Sequence, residues 1–208
     1  QADEQGGGIM NCLLCGQTTK SEMTFGSLFI LKDDCSYLCS ACASSFEKIG
    51  EKYCPNCMKL GLSTQCQDCK SWCKDGIEVD HKAIFTYNQA MKDFFSQYKF
   101  DGDFLLRKVF ASVLAEELKK YRGYQFVLIP LSPERLLERG FNQVEGLVEV
   151  AGFSFKDILG KREESASSSK SRLERLATEI PFFIKDGISL PKKILLIDDI
   201  YTTGATVN

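Results

Sequence analysis

Two adjacent carboxylates near the end of the chain, Asp198 and Asp199, follow four consecutive aliphatic residues and precede a threonine-rich stretch. The aliphatic run 194–197 predicts a strand buried on both faces, which is typical of a parallel sheet. Ligands of open α/β sheets bind just beyond the carboxyl ends of the strands. Gly204 allows a tight turn, and neighbouring hydroxyl groups can bond an anion. The pattern predicts a phosphate cradle beside carboxylates that suit ribose hydroxyls or Mg²⁺. The plainer alternative is that the acids only end the strand and cap the next helix.

The stretch 194–206 resembles the phosphoribosyl pyrophosphate (PRPP) motif of type I phosphoribosyltransferases, four aliphatic residues followed by Asp-Asp-x-x-Thr-Thr-Gly-x-Thr. The resemblance implies that Asp198 and Asp199 hold the ribose 2′- and 3′-hydroxyls, assisted by a Mg²⁺ ion. It also implies a loop that holds the 5′-phosphate, formed by Thr202, Thr203, Gly204, Ala205 and Thr206. Some base-salvaging members carry an acidic residue at the position of Thr202, so a carboxylate that protonates a base is not evident here.

Ten cysteines lie between residues 12 and 73, and eight of them form C-x-x-C pairs. The pairs are Cys12/Cys15, Cys39/Cys42, Cys54/Cys57 and Cys66/Cys69. Two thiolates at this spacing can bind one metal ion, so four pairs supply two Cys₄ zinc sites, and we favour zinc over disulfides. Sequence order groups the first pair with the second and the third with the fourth, although an interleaved arrangement is possible. Cys35 and Cys73 are interpreted as small, partly buried thiols, with Cys35 a possible replacement in the first site.

The chain divides by composition into parts of different character. We interpret these parts as a tag or flexible lead at 1–10, a zinc-finger module at 11–73, a linker at 74–80 and a main domain at 81–208. The formal net charge of −2 gives no global basic field for nucleic acid, so any DNA contact requires a local patch. No apolar run is long enough to span a membrane.

Apolar patterns in the main domain alternate between strand and helix periods. They predict strands at 79–87, 126–132, 181–184 and 194–197, helices from residue 88 and over 104–121, and a mobile loop at 160–170. Buried strands that alternate with helices indicate an α/β fold with a parallel sheet. His81, the single histidine, is interpreted as a surface or core residue rather than a metal ligand.

A second candidate group of residues follows the strand predicted at 126–132. Ser132 ends this strand pattern, so we expect it at the same sheet edge as Asp198 and include it among the ligand-binding residues. Arg135 and Arg139 come next, and their guanidinium groups suit pyrophosphate or the phosphates of a nucleic acid. The alternative is that both arginines are solvated charges on a helix face.

Taken in order, these features resemble the ComF family of bacterial competence proteins. The resemblance rests on the cysteine pairs, the PRPP-type motif, Lys99-Phe100-Asp101-Gly102-Asp103, Pro130-Leu131-Ser132 and Arg139-Gly140-Phe141-Asn142-Gln143. It implies an N-terminal zinc finger on a type I phosphoribosyltransferase-like domain. It further implies a cytoplasmic role in natural transformation, where single-stranded DNA enters the cell with the ATP-driven, helicase-like ComFA. Residues 165–175 depart from the Ser-Gln, Arg and Asn pattern that family members often carry in the flexible loop.

Three functions fit these features. The first is a DNA-uptake factor that works by binding the helicase and single-stranded DNA, with a PRPP-type pocket as a ligand sensor or remnant. The second is an active Mg²⁺-dependent phosphoribosyltransferase with an unknown acceptor, and the third is a structural zinc adaptor. We favour the first. A phosphoribosyltransferase domain normally continues beyond its phosphate motif, so we expect the native chain to extend past residue 208.

Overall fold

The computed structural model describes residues 9–20, 37–100, 102–162 and 182–201. The described N-terminal part contains an antiparallel hairpin and two short helices. These elements are β1 (Ile9–Asn11), β2 (Thr18–Lys20), α1 (Ser40–Ser45) and α2 (Gln67–Lys74). A cysteine caps each helix at its start, because the sulfur of Cys39 accepts the Cys42 N–H and the sulfur of Cys66 accepts the Cys69 N–H. The same cysteines that pair in the sequence therefore begin the helices.

The middle of the chain is helical. Helix α3 (Gln89–Phe100) begins where the Asn88 side chain accepts the Met91 N–H, and it confirms the helix predicted from residue 88. The helix predicted over 104–121 is instead a 3₁₀ helix (Phe104–Phe110), then α4 (Ala111–Leu118) and a 3₁₀ turn (Lys119–Tyr121). Apolar spacing of three and four residues fits either kind of helix, so the pattern does not separate them.

A parallel strand pair forms the centre of the second half. Strand β3 (Gln125–Leu128) pairs with β6 (Ile194–Ile197), with Gln125 opposite Ile194 and Leu128 opposite Ile197. Between them lie α5 (Pro133–Arg139), α6 (Gln143–Val150), β4 (Leu159–Lys161) and β5 (Phe182–Ile184), of which β4 and β5 pair antiparallel. The structure is therefore a mixture of helices and strands with a parallel sheet, as predicted. Strand β6 is only partly buried, because Leu196 is 44% exposed and β3 is its only paired strand in the described ranges.

An aromatic core joins the cysteine-rich part to the rest of the chain. Its buried members are Phe46, Met91, Phe94, Phe95, Tyr98, Leu106, Phe110 and Leu147. Phe46 follows α1, and its ring centre lies 5.0 Å from that of Phe110 and 6.2 Å from that of Phe94. Leu13, Leu14 and Leu38 also pack against this core. The two regions consequently share one hydrophobic interior.

The strand predicted at 79–87 is not a regular strand, and that prediction was wrong. The segment instead runs along the cysteine-rich part, where Ile49 donates to Ile84 O (3.1 Å) and Thr86 donates to Glu47 O (2.8 Å). One isolated bridge pairs Lys48 with Phe85. These bonds satisfy the extended backbone without a long ladder. Across the described residues, no helix is long and apolar enough to cross a membrane.

Candidate functional site

The first candidate site is a group of four cysteines on two elements. Cys12 and Cys15 lie in the β1–β2 hairpin, and Cys39 and Cys42 lie at the start of α1. Their sulfur atoms all lie within 4.8 Å of one another. Gly16 adopts a left-handed φ of 70°, which turns the hairpin back so that its N–H reaches Cys12 O at 2.9 Å. Cys15 remains exposed, so this group lies at the surface.

The second group is fully buried. Cys54 and Cys57 lie in a tight turn closed by Met58 N–H donating to Cys54 O, and Cys66 and Cys69 lie at the start of α2. Each of these four cysteines is at most 4% exposed. Their sulfur atoms also lie within 4.8 Å of one another, and Val79 packs against them. The structure thus brings together the pairs that are adjacent in sequence, in both groups.

The spacing of the sulfur atoms fits zinc. A tetrahedral ion with Zn–S bonds of about 2.3 Å requires sulfur atoms about 3.8 Å apart. The Sγ–Sγ distances are 3.7 Å for Cys15–Cys39, 3.9 Å for Cys54–Cys69 and 3.6 Å for Cys57–Cys66. A disulfide requires about 2.0 Å. Both Cys₄ groups could therefore hold a metal ion, and their donor chemistry is that of structural zinc sites.

Backbone N–H groups prepare one thiol in each group for metal binding. Burial acts to raise the pKa of Cys54, but N–H groups of Cys57, Cys66 and Asn56 outweigh it and lower the pKa to about 6. Cys66 N lies 3.2 Å from Cys54 Sγ. Cys12 has the same balance, and its pKa is also lowered to about 6. Such thiols ionise readily, which a metal ligand requires.

The second candidate site lies where the parallel strands end. The register of β3 and β6 brings the carboxyl ends of both strands to one edge, and Ile129 N–H extends the pairing to Ile197 O at 3.0 Å. Residues 130–132 leave β3 at this edge, and Asp198 and Asp199 leave β6 there. The Ser132 hydroxyl accepts the Arg135 N–H at 3.4 Å and so caps α5.

The two carboxylates at this edge have different environments. Asp199 forms an ion pair with Lys99 from the last turn of α3, and the two side chains are only 15% and 11% exposed. Lys99 Nζ also lies 4.7 Å above the Phe95 ring. Asp198 is exposed at the surface, and its Oδ1 accepts the Asp199 N–H at 2.9 Å. The Lys99 pair neutralises one of the two adjacent charges.

Asp198 has a shifted pKa. Desolvation at the strand end, followed by the negative charge of Asp199, raises its pKa to about 6, while the Asp199 N–H, Lys99 and Lys161 act in the opposite direction. Water at its exposed part moderates the shift. A carboxylate in this position gains from any cation that binds beside it, because the cation offsets the charge of Asp199.

The next two residues connect this edge to other parts of the molecule. Ile200 packs against the aromatic core, and Tyr201 packs against the buried Cys₄ group. The Tyr201 ring stacks on His81, with ring centres 4.0 Å apart and an angle of 27° between the planes. Burial and the thiolates of Cys57, Cys69 and Cys66 raise the pKa of Tyr201. The segment after β6 is thus fixed by three neighbours.

Comparison with known proteins identifies close relatives. The chain is 73% identical over 199 residues to the competence protein ComFC of Streptococcus pneumoniae, which covers 96% of this chain and 90% of that protein. It is 36% identical over 217 residues to the competence protein ComFC of Bacillus subtilis, covering 100% of this chain and 90% of that protein. The chain belongs to the ComFC family. No family model and no solved structure matches it.

Not every residue singled out in this ComFC-family sequence lies in the described ranges. The phosphate loop Thr202, Thr203, Gly204, Ala205 and Thr206 lies outside them, as does Cys35. Arg135 is exposed on α5, whereas Arg139 is partly buried and donates through Nη1 to Gln143 Oε1 at 2.8 Å. Cys73 is exposed on α2 and is not a member of either Cys₄ group.

Sequence reasoning did not identify three residues at this ComFC-family site. In the sequence, Lys99 only begins the run Lys99-Phe100-Asp101-Gly102-Asp103, whereas in the structure it forms the ion pair with Asp199. The sequence predicts only a surface or core position for His81 and no role for Tyr201, whereas the two rings stack on each other. A lysine that precedes Phe-Asp-Gly-Asp gives no sign of its acidic partner, since 100 residues separate the pair in sequence. Only the aromatic character of Tyr201, between the acids and the threonines, could have raised the question.

Proposed function

We propose that this chain acts in natural transformation as a cytoplasmic factor for the uptake of single-stranded DNA, together with a ComFA-like ATP-dependent helicase. A PRPP-type site at the sheet edge binds a phosphoribosyl ligand with Mg²⁺, and the zinc module serves partner docking. One observation carries the proposal: Ser132 and the Asp198–Asp199 pair both follow the carboxyl ends of paired parallel strands. The kinship with ComFC of S. pneumoniae, a competence protein, supports the same role.

The architecture supports a phosphoribosyltransferase-like domain from residue 81 onward. Its central strands are parallel, and α5 and α6 lie between them in sequence, as a crossover connection requires. A ligand at this edge meets the carboxylate of Asp198, which is exposed, while Lys99 already balances Asp199. We therefore assign the ribose contact first to Asp198, and we assign Asp199 the additional role of holding residues 198–201 in place through Lys99. Mg²⁺, when bound with PRPP, neutralises pyrophosphate charge.

Replacing Asp198 with asparagine is expected to weaken the binding of Mg²⁺-PRPP roughly 10- to 150-fold, because a hydrogen bond to a charged group contributes about 1.5–3 kcal/mol. The measurement is calorimetric titration of zinc-loaded protein. Asp199→Asn is expected to lose binding as well, but it also leaves Lys99 without its carboxylate. Asp93→Asn is the matched control, because Asp93 is an exposed acid on α3. Unchanged affinity in Asp198→Asn excludes this residue from the ribose site.

The second candidate function, an active phosphoribosyltransferase, requires the same pocket to turn over. It is separated from simple binding by measuring pyrophosphate release from Mg²⁺-PRPP in the presence of candidate acceptor bases. Release by wild type that disappears in Asp198→Asn establishes an enzyme and directs the search to the acceptor. Binding without release leaves a ligand-sensing site.

For single-stranded DNA we propose a contact through Arg135 and Arg139 on α5, next to the sheet edge. Arg135 is exposed, and the hydrogen bond to Gln143 orients the guanidinium of Arg139. The cysteine groups suit this role less well, because a zinc ion with four thiolates keeps about two negative charges. We therefore assign the zinc module to helicase docking instead of DNA.

The double variant Arg135→Ala/Arg139→Ala is expected to weaken binding to an unstructured oligonucleotide and to reduce the slope of log K against log salt by about 1.4, since each phosphate contact on single strands contributes about 0.7. Lys74→Ala removes an exposed positive charge from α2 and serves as the control. An unchanged slope moves the DNA site elsewhere.

The double variant Arg135→Ala/Arg139→Ala should still bind to an immobilised ComFA-like helicase. If the wild-type protein does not bind to the helicase, the helicase is removed from the proposal.

A further inference from the structure

The segment that follows β6 is attached to the buried Cys₄ group by a short chain of contacts. Tyr201 packs against this group and stacks on His81 at 4.0 Å. Nδ1 of the His81 ring lies 3.1 Å from Cys57 O, and the backbone N–H of His81 donates to Asn56 O at 2.8 Å. Both carbonyl groups belong to the turn that carries two of the metal-ligating sulfurs. From the metal group to Tyr201, each step is a direct contact.

Asp198 is close enough in sequence to Tyr201 that its position depends on where Tyr201 is held. Tyr201 is three positions further along the chain, and a segment of that length extends at most about 10 Å. Between them, Asp199 is paired with Lys99 and Ile200 packs against the aromatic core. Two of the three supports therefore come from the main domain, and the third, through Tyr201, comes from the Cys₄ group.

We propose that the metal-loaded second Cys₄ group positions the Asp198–Tyr201 segment through His81 and Tyr201, so that loss of metal from this group weakens ligand binding at Asp198. The inference rests on the proposed phosphoribosyl site and assigns His81 and Tyr201 as positioning residues of it. Without the metal, the four sulfur atoms lose the ion that holds them together, and the Cys54–Cys57 turn opens. Cys57 O then no longer fixes the His81 ring, Asn56 O no longer holds the His81 backbone, and Tyr201 loses the surface on which it stacks.

Substitutions of the Tyr201 and His81 rings test whether these two residues position the Asp198–Tyr201 segment. Tyr201→Ala is expected to weaken Mg²⁺-PRPP binding on the order of 10-fold, a typical size for coupling between two sites. Tyr201→Phe should bind like wild type, because it keeps the stacked ring. His81→Leu should behave like Tyr201→Ala. Tyr124→Ala is the matched control, since Tyr124 is 40% exposed and precedes β3 at the opposite strand end. Zinc content and melting temperature are measured for every variant, and rescue by Tyr201→Phe separates positioning from a general loss of fold.

Thermodynamic linkage provides a readout that a purely structural role does not move. If metal in the second group favours the ligand, the ligand must favour that metal by the same factor. Trp72, the single tryptophan, packs against this group, so its fluorescence reports metal loss there. With Mg²⁺ held constant, PRPP should raise the concentration of a zinc-selective chelator needed to change Trp72 emission. The shift should be absent in Tyr201→Ala and in Asp198→Asn.

The outcomes separate the two proposals. If wild-type, zinc-loaded protein does not bind Mg²⁺-PRPP, the proposed site falls and this inference falls with it. If Tyr201→Ala binds Mg²⁺-PRPP as well as wild type does, and PRPP still raises the chelator concentration needed to change Trp72 emission, the phosphoribosyl site stands. The positioning role of His81 and Tyr201 is then overturned. Weaker binding in Tyr201→Ala, rescue by Tyr201→Phe and a ligand-dependent chelator shift together establish it.

Discussion

Cys54→Ser is expected to release one zinc ion per chain and to destabilise the protein by on the order of 5 kcal/mol or more. The serine removes one of four ligands from a group whose members are at most 4% exposed. Metal binding contributes about 10–16 kcal/mol in small zinc modules, a value comparable to the whole stability of a typical domain. The melting temperature should fall by roughly 10–20 °C, and the emission of Trp72, which packs against this group, should shift to the red.

Cys73→Ser is the matched control for this experiment. It makes the same substitution on α2, but Cys73 is exposed and lies outside both Cys₄ groups. It should keep two zinc ions and the wild-type melting temperature. If Cys54→Ser also kept two ions and an unchanged melting temperature, the second group would not be a zinc site, and the proposed coupling to Tyr201 would lose its basis.

Phe94→Ala is expected to cost about 3–5 kcal/mol of unfolding free energy, because it leaves a large cavity in the aromatic core. Phe94 is fully buried, and its ring lies 4.8 Å from that of Phe110 and 5.2 Å from that of Phe95. The corresponding fall in melting temperature is roughly 6–20 °C. The measurement is denaturant unfolding, with the slope compared to wild type.

Phe183→Ala is the control, because Phe183 on β5 is 41% exposed. This substitution should lower the unfolding free energy by about 1 kcal/mol or less. Because Phe46 and Phe94 belong to the same core, Phe94→Ala should also lower the temperature at which zinc is released. Zinc release at the wild-type temperature from a destabilised Phe94→Ala protein would show that the module and the main domain unfold independently.

A shared core also bears on how the proposed functions act together. Phe46 from the cysteine-rich part contacts Phe94 on α3, and Lys99 at the end of the same helix pairs with Asp199. Docking of a partner on the zinc module would therefore act on elements that also hold the sheet edge.

Local features of this protein could be predicted from its amino-acid sequence. The C-x-x-C spacing predicts pairs of metal ligands because two residues place both sulfurs on one turn. The aliphatic run before Asp198 predicts a parallel strand, and the pairing of β6 with β3 confirms it. The predicted burial on both faces was wrong for the described residues, because Leu196 is 44% exposed. The helix from residue 88 is confirmed, and its apolar residues Met91, Phe94, Phe95 and Tyr98 recur at helical spacing and lie in one core.

Contacts between residues far apart in sequence could not be predicted in this way, because they depend on long-range packing. The contact between Tyr201 and His81 joins residues 120 positions apart, and the ion pair between Lys99 and Asp199 joins residues 100 positions apart. No periodicity encodes such pairs. The ion pair forms where Ile200 packs against the aromatic core, and the ring stack forms where Tyr201 packs against the second Cys₄ group. The stretch at 79–87 has strand-forming residues but forms no regular strand. Its backbone instead bonds to residues 47–49 of the cysteine-rich part, because its hydrogen-bond partners lie there. The sequence therefore locates the carboxylates of Asp198 and Asp199, whereas long-range packing brings Lys99 to Asp199 and so balances one of their two charges.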